Sequence, residues 1–92
     1  MGSPIYLQDM KAVEIRTDYI KLNQFLKWAN IAYSGAEANR MIHEGMVKVD
    51  GVAEQRRGRK LYPGNRVEVE GFGQYLVVKE GSAGIASKGT YP

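Results

Sequence analysis

Four cations fill the five positions 56–60, with Arg56, Arg57, Arg59 and Lys60 arranged around a lone Gly58. Arginine's planar fork can meet a phosphate through two parallel hydrogen bonds, and lysine adds a compact point charge. Gly58 lets the backbone turn there and keeps a side chain out of the path of an approaching polyanion. Together with Arg66, the stretch 56–66 holds five basic residues and no acidic one, while the rest of the chain carries eight basic and ten acidic residues. The net charge of +3 is therefore a local feature. Such a distribution is the footprint of a phosphate-bearing partner rather than of general solubility. A solvated charged turn is the ordinary fate of a basic run, but like charges this close, with no interleaved acid, favour phosphate binding.

Other cations could extend that surface. Lys48 is expected on the outward face of a strand, and Arg40 one residue before the apolar pair Met41 and Ile42. Arg40 has a competing role in a helical ion pair with Glu37 or Glu44, which would contribute only about 0.2–0.5 kcal/mol. Lys21 and Lys27 lie on different sides of a helix, so at most one can share a face with the loop. Trp28, at the edge of an apolar stripe, is expected to close the rim of the core, since a small domain needs its large apolar side chains, with stacking on an unpaired base as the alternative. Tyr62 and Phe72, beside turns, offer the same choice.

Residue types that would do covalent or metal chemistry are scarce. The chain has no cysteine and one histidine, His43, so neither a sulfur-ligated zinc site nor a nucleophile, base and acid set can be assembled. Glu37, Glu44, Asp50 and Glu54 follow cap, helix and turn logic. The glycines of EGFGQ lack the helix and lysine-serine pair of a nucleotide loop. The expectation is a non-enzymatic protein with no cofactor, no metal and no small-molecule substrate.

Positioning these residues requires a scaffold. Residues 11–16 alternate weakly, as in a strand. From Asp18, a plausible N-cap, to Tyr33, the apolar residues Leu22, Phe25, Leu26, Ala29 and Tyr33 recur at helical spacing, with Asn23, Lys27 and Asn30 opposite. Ser34 followed by Glu37 reads as a reciprocal capping box opening a second helix. Gly45 suits its left-handed C′ position. The two helices nearly abut, which predicts a helix-turn-helix corner. The period then changes to two: Val47 and Val49 precede Asp50-Gly51, a type I′ hairpin signal, and Pro63-Gly64 suits a type II turn. Val67 and Val69 mark another strand, and a last one follows the GFG turn.

Ninety-two residues make one domain, which buries roughly 60% of the surface its unfolded chain exposes. The expected division is an N-terminal extension over 1–10, a folded domain over 11–79 and a flexible tail over 80–92, where glycine, serine and alanine offer little apolar surface to offset ordering entropy. No apolar run is long enough for a membrane helix, and MGSPIYLQDM lacks the features of a secretory signal. The expected location is the cytoplasm, with no membrane partner and a monomeric state.

The order of helix, capped helix, V-K-V-D-G hairpin, basic loop, P-G turn and V-E-V strand resembles the S4 RNA-binding domain (the αL motif), and within it the small stand-alone bacterial members of the YaaA and YbcJ kind. The likeness is carried by IKLNQFLKWA (20–29), SGAEANRMIHEGMVKVDG (34–51) and RRGRKLYPGNRVEVEGFG (56–73). It implies an α+β fold, two helices packed on a small, mainly antiparallel β-sheet, and non-catalytic binding of structured RNA, ribosomal or transfer RNA, with the ribosome as a candidate context. It also favours Lys21 over Lys27. Many relatives carry a basic residue, leucine and aspartate where this chain has Lys21-Leu22-Asn23, and Ser-Arg where it has Ser34-Gly35. These departures remove an expected phosphate contact and shift the weight to the loop. The expected RNA-binding set is Arg56, Arg57, Arg59 and Lys60, extended by Lys21, Arg40 and Lys48. The alternatives are an adaptor whose basic loop meets an acidic protein surface, and a DNA-binding module.

Overall fold

The computed structural model describes residues 10–80; the expected N-terminal extension and C-terminal tail lie, but for Met10 and Glu80, outside the described residues. Along the chain come β1 (Met10–Ile15), β2 (Ile20–Lys21), α1 (Leu22–Trp28), α2 (Gly35–His43), β3 (Val47–Val49), β4 (Val52–Ala53), β5 (Lys60–Leu61), β6 (Arg66–Val69) and β7 (Gly73–Lys79). Five strands form one sheet in the order β1-β7-β6-β3-β4, and β2 pairs with β5 in a separate two-stranded ribbon. All pairings are antiparallel except that of β1 with β7. The α+β class and the mainly antiparallel sheet are those expected from the sequence.

The period-two pattern sets the sheet's inner face. Val47, Val49, Val67 and Val69 are buried, while Lys48, Arg66 and Glu68 between them are exposed. Leu22, Phe25 and Leu26 of α1, with Ala38, Met41 and Ile42 of α2, are buried in the same cluster. Each large apolar side chain removed from water in this way contributes about 1.5–3 kcal/mol, opposed by conformational entropy.

The first helix is shorter than its pattern. Its N-cap is Lys21, not Asp18, and no side chain caps it. At the other end Asn30 adopts φ 63°, its N–H donates to the Lys27 carbonyl at 3.0 Å, and the Ile31 N–H reaches back to Leu26 at 2.9 Å. This is a Schellman ending with asparagine in the left-handed position. Ile31 and Ala32 then enter the core from a turn, whereas Tyr33, expected on the apolar stripe, is 87% exposed. Six residues, 29–34, thus separate helices that the sequence pattern brings nearly end to end.

The second helix starts at the expected place: Ser34 Oγ accepts from the Glu37 N–H at 3.1 Å. The reciprocal half of the box is missing, because the Glu37 carboxylate takes Arg40 instead. Gly45 is left-handed (φ 80°) as expected, and Asp50 and Gly51 (φ 52° and 85°) match a type I′ turn.

Candidate nucleic-acid interface

The basic loop joins β4 to β5 and is built around the carboxylate of Glu54, which is only 7% exposed. Its Oε2 accepts from the Arg56 backbone N–H (3.0 Å) and Nε (2.9 Å), and its Oε1 from Arg56 Nη2 (3.1 Å) and Arg59 Nη1 (2.8 Å). The side-chain hydrogen bonds from Arg56 and then Arg59 pull its pKa down to about 2. The expectation that no acid relieves the loop cations is therefore corrected. Two of the four guanidinium and ammonium groups share one carboxylate, and the cluster of Glu54 with Arg56, Arg57, Arg59 and Lys60 keeps a formal charge of +3.

The loop is also fixed through its backbone. The first two amides of α1 have no partner within the helix, and loop carbonyls take them: Leu22 N–H donates to Arg59 (2.8 Å) and Asn23 N–H to Arg57 (3.0 Å). The Arg59 N–H closes a turn onto the Arg56 carbonyl at 3.1 Å. Gly58, inside that turn, has no neighbour within 4 Å of where a Cβ would stand, so no contact among the described residues requires glycine there. The β2–β5 ribbon pairs Lys21 with Lys60 and Ile20 with Leu61; Leu61 is fully buried, which pins the loop's far end.

The cations do not all point the same way. Arg56 and Arg57, with Gly58 and Gln55, form one wall of a groove of about 730 Å³ whose other wall is α2, through Ala36, Asn39, Arg40 and His43. The Arg56 side chain is 75% exposed despite its bonds to Glu54, whereas that of Arg59 is 30% exposed. Arg57 makes no ion pair among the described residues. Gln55 Nε2 donates to the His43 carbonyl (3.1 Å) and ties the two walls together.

Lys60 turns elsewhere, its ammonium lying 4.8 Å from the centre of the Tyr19 ring. Lys21, its cross-strand partner, is exposed beside it. Arg40 lies between Glu37 (2.6 Å) and Glu44 (2.8 Å). These carboxylates, Glu37 first, raise its pKa, and Arg40 in turn lowers that of Glu37. The competing role foreseen for Arg40 is thus occupied twice over, and the trio carries a formal charge of −1. Lys48 faces away from the helices on the outer side of the sheet, opposite Glu68, in a separate hollow with Gly45, Met46 and Glu70.

Sequence reasoning missed two residues that line the groove and a third that supports one of them. Asn39 and Gln55 carry no charge or period to flag them. Asn23 reaches across from α1, its Nδ2 donating to Asn39 Oδ1 at 3.3 Å, and its own Oδ1 is buried without a partner. Asp50 proves to be structural: its carboxylate accepts from Asn65 Nδ2 (2.7 Å) and the Arg66 N–H (2.9 Å). Among the described residues no group of three or more His, Cys, Asp or Glu side chains could hold a metal ion.

The S4 domain family matches residues 13–78, which takes in both helices, the loop and every strand but for the first three residues of β1 and the last of β7. The chain belongs to the S4 domain family. Among similar proteins, this S4 domain is 47% identical over 66 residues to the "Probable ribosome maturation protein RlbA" of Bacillus subtilis (strain 168), covering 72% of this chain and 93% of that one. It is 37% identical over 59 residues to the "Putative RNA-binding protein YbcJ" of Escherichia coli (strain K12), covering 64% of this chain and 84% of the relative. No helix of the described S4 domain is long and apolar enough to cross a membrane.

Proposed function

We propose that this S4 domain binds a folded RNA without catalysis, with ribosomal RNA as the target class, through the groove between α2 and the basic loop. The observation that carries the reading is the loop itself. Arg56 is held at the groove by a buried carboxylate and Arg57 by a backbone bond to α1, and both residues are open to solvent. Cations fixed before the partner arrives lose little conformational freedom on binding. The names of the two relatives support an RNA partner, and that of the first supports a ribosomal context.

The major groove of A-form RNA is too narrow for side chains, so recognition rests on phosphates and on 2′-hydroxyls of the wide minor groove. Asn39 and Gln55 supply neutral donors and acceptors for the hydroxyls, and Arg56 and Arg57 supply the charge. Arg59 acts mainly through Glu54, holding the loop's shape. A cytoplasmic, monomeric protein is the form in which we expect this activity.

The test is a double charge reversal, Arg56→Glu with Arg57→Glu. Two lost charge-assisted contacts of about 1.5–3 kcal/mol each correspond to a fall of at least about a hundredfold in affinity for ribosomal RNA. Because Arg56→Glu also removes the main partner of Glu54, circular dichroism must first show an intact fold, and Arg57→Glu alone, at a residue without an ion pair among the described residues, should by itself lower affinity at least about tenfold. Retention of the original affinity by that folded variant overturns the assignment, and a matched DNA hairpin that competes as well as its RNA counterpart overturns the choice of polymer.

A further inference from the structure

A second cationic feature lies beyond the groove. The β2–β5 ribbon buries Leu61, and its other face carries Lys21 and Lys60 directly opposite each other. Like charges so placed repel, and no carboxylate among the described residues pairs with either lysine. Next to them Tyr19 and Tyr62 meet with ring centres 5.7 Å apart.

From Tyr19 a hollow of about 230 Å³ runs to Trp28, with Ile15 and Ile20 among its apolar lining and Gln24 and Arg16 among its polar lining. Trp28 is 52% exposed, so the core does not account for it. Its indole N–H donates to the Glu14 carbonyl at 2.6 Å, which fixes the ring, and the Arg16 guanidinium lies 5.8 Å from the ring centre. Two carboxylates flank the region, Glu80 paired with Arg16 (3.2 Å) and Asp18 paired with Lys79 (3.3 Å).

We propose that the hollow between Tyr19 and Trp28 is a slot for an unpaired nucleobase, and that Lys60 and Lys21 neutralise the phosphates leading to it from the loop. Aromatic walls stack on any base, an arginine plane stacks beside them, and the Gln24 amide offers both a donor and an acceptor to a base edge. The cation run connects the two sites, Arg56 and Arg57 at the groove and Lys60 at the slot. The domain thereby reads a helical RNA together with the single strand that leaves it. This inference rests on the groove reading above, and it selects RNAs with a helix-to-strand junction.

Trp28 is the chain's single tryptophan, so its emission reports on the slot alone. The probes are a blunt RNA hairpin whose strands are joined by a polyethylene glycol linker in place of loop nucleotides, so that it holds no unpaired base, and the same hairpin with a short unpaired uridine extension at either end. An extended hairpin should bind about 5- to 100-fold more tightly than the blunt one and quench Trp28, while the blunt one leaves the emission unchanged. Tyr19→Leu and, read by labelled RNA, Trp28→Leu should erase that preference and leave blunt-hairpin affinity as it was. The Arg56→Glu/Arg57→Glu variant should weaken both hairpins by the same factor. Equal binding of blunt and extended hairpins with unchanged emission overturns the slot while leaving the groove standing. A preference that survives in a reversal variant with undiminished blunt-hairpin affinity supports the slot and overturns the groove. Quenching by an acidic peptide where extended hairpins produce none overturns the inference in favour of a protein partner.

Discussion

Replacing Glu54 by glutamine tests the group that shapes the loop: the side chain keeps its size, loses its charge and exchanges one acceptor oxygen for an NH2 donor that cannot accept from Arg56 or Arg59. In the folded protein the carboxyl titrates at about 2, against an ordinary value of 4.5. A folded-state pKa below the unfolded one means that the ionised form stabilises the fold. That stability is complete above about pH 4.5 and is lost as the pH falls towards 2. Taken at face value the difference corresponds to about 3 kcal/mol; because Arg56 is open to solvent, screening reduces it, and about 1–3 kcal/mol is expected. Urea denaturation of Glu54→Gln at neutral pH should show that loss, and its stability should fall less steeply than the parent's between pH 4.5 and 2. The same change raises the loop's net charge by one. At about −0.9 in the slope of log affinity against log salt per phosphate neutralised, the parent should show about −3 and the variant about −4. A variant as stable as the parent with the same acid response, or one with an unaltered salt slope, would refute the view that Glu54 both holds the loop and cancels one of its charges.

The remaining expectations separate scaffold from interface. Ser34→Ala removes the cap of α2 and should lower unfolding free energy by about 1 kcal/mol in urea titrations, with RNA affinity unchanged at temperatures where the protein stays folded. Asn30→Gly places the residue best suited to φ 63° at the helix ending; the melting temperature should hold or rise, whereas Asn30→Val should lower it. Lys48→Gln, on the sheet face turned away from the groove, should alter RNA affinity by no more than about a factor of two in filter binding.

Much of this architecture was legible because it depends on neighbours a few residues apart. Ser34 and Glu37 announce a helix start, Gly45 its end, and Asp50-Gly51 a hairpin, each through local backbone geometry. Where the reading failed, a distant partner had intervened. The periodic stripe ran on to Tyr33, but Asn30 turned the chain so that Ile31 and Ala32 could enter the core. Asp18 looked like a cap, yet the free amides of α1 found carbonyls in a loop more than thirty residues away. Glu54 was visible beside the arginines, but nothing in its spacing told that it would be buried and bonded to two of them.

By itself the sequence determined that a surplus of positive charge sits in one short stretch, and that two helices and a set of alternating strands must carry it, since charge and period are properties of residue order. Only the tertiary structure decided how that charge is divided: Arg59 turned inward to Glu54, Arg56 and Arg57 set along α2, and Lys60 placed over Tyr19. The direction of a side chain depends on the register of the strand or turn bearing it and on what packs behind, and both are fixed by contacts between segments far apart in the chain.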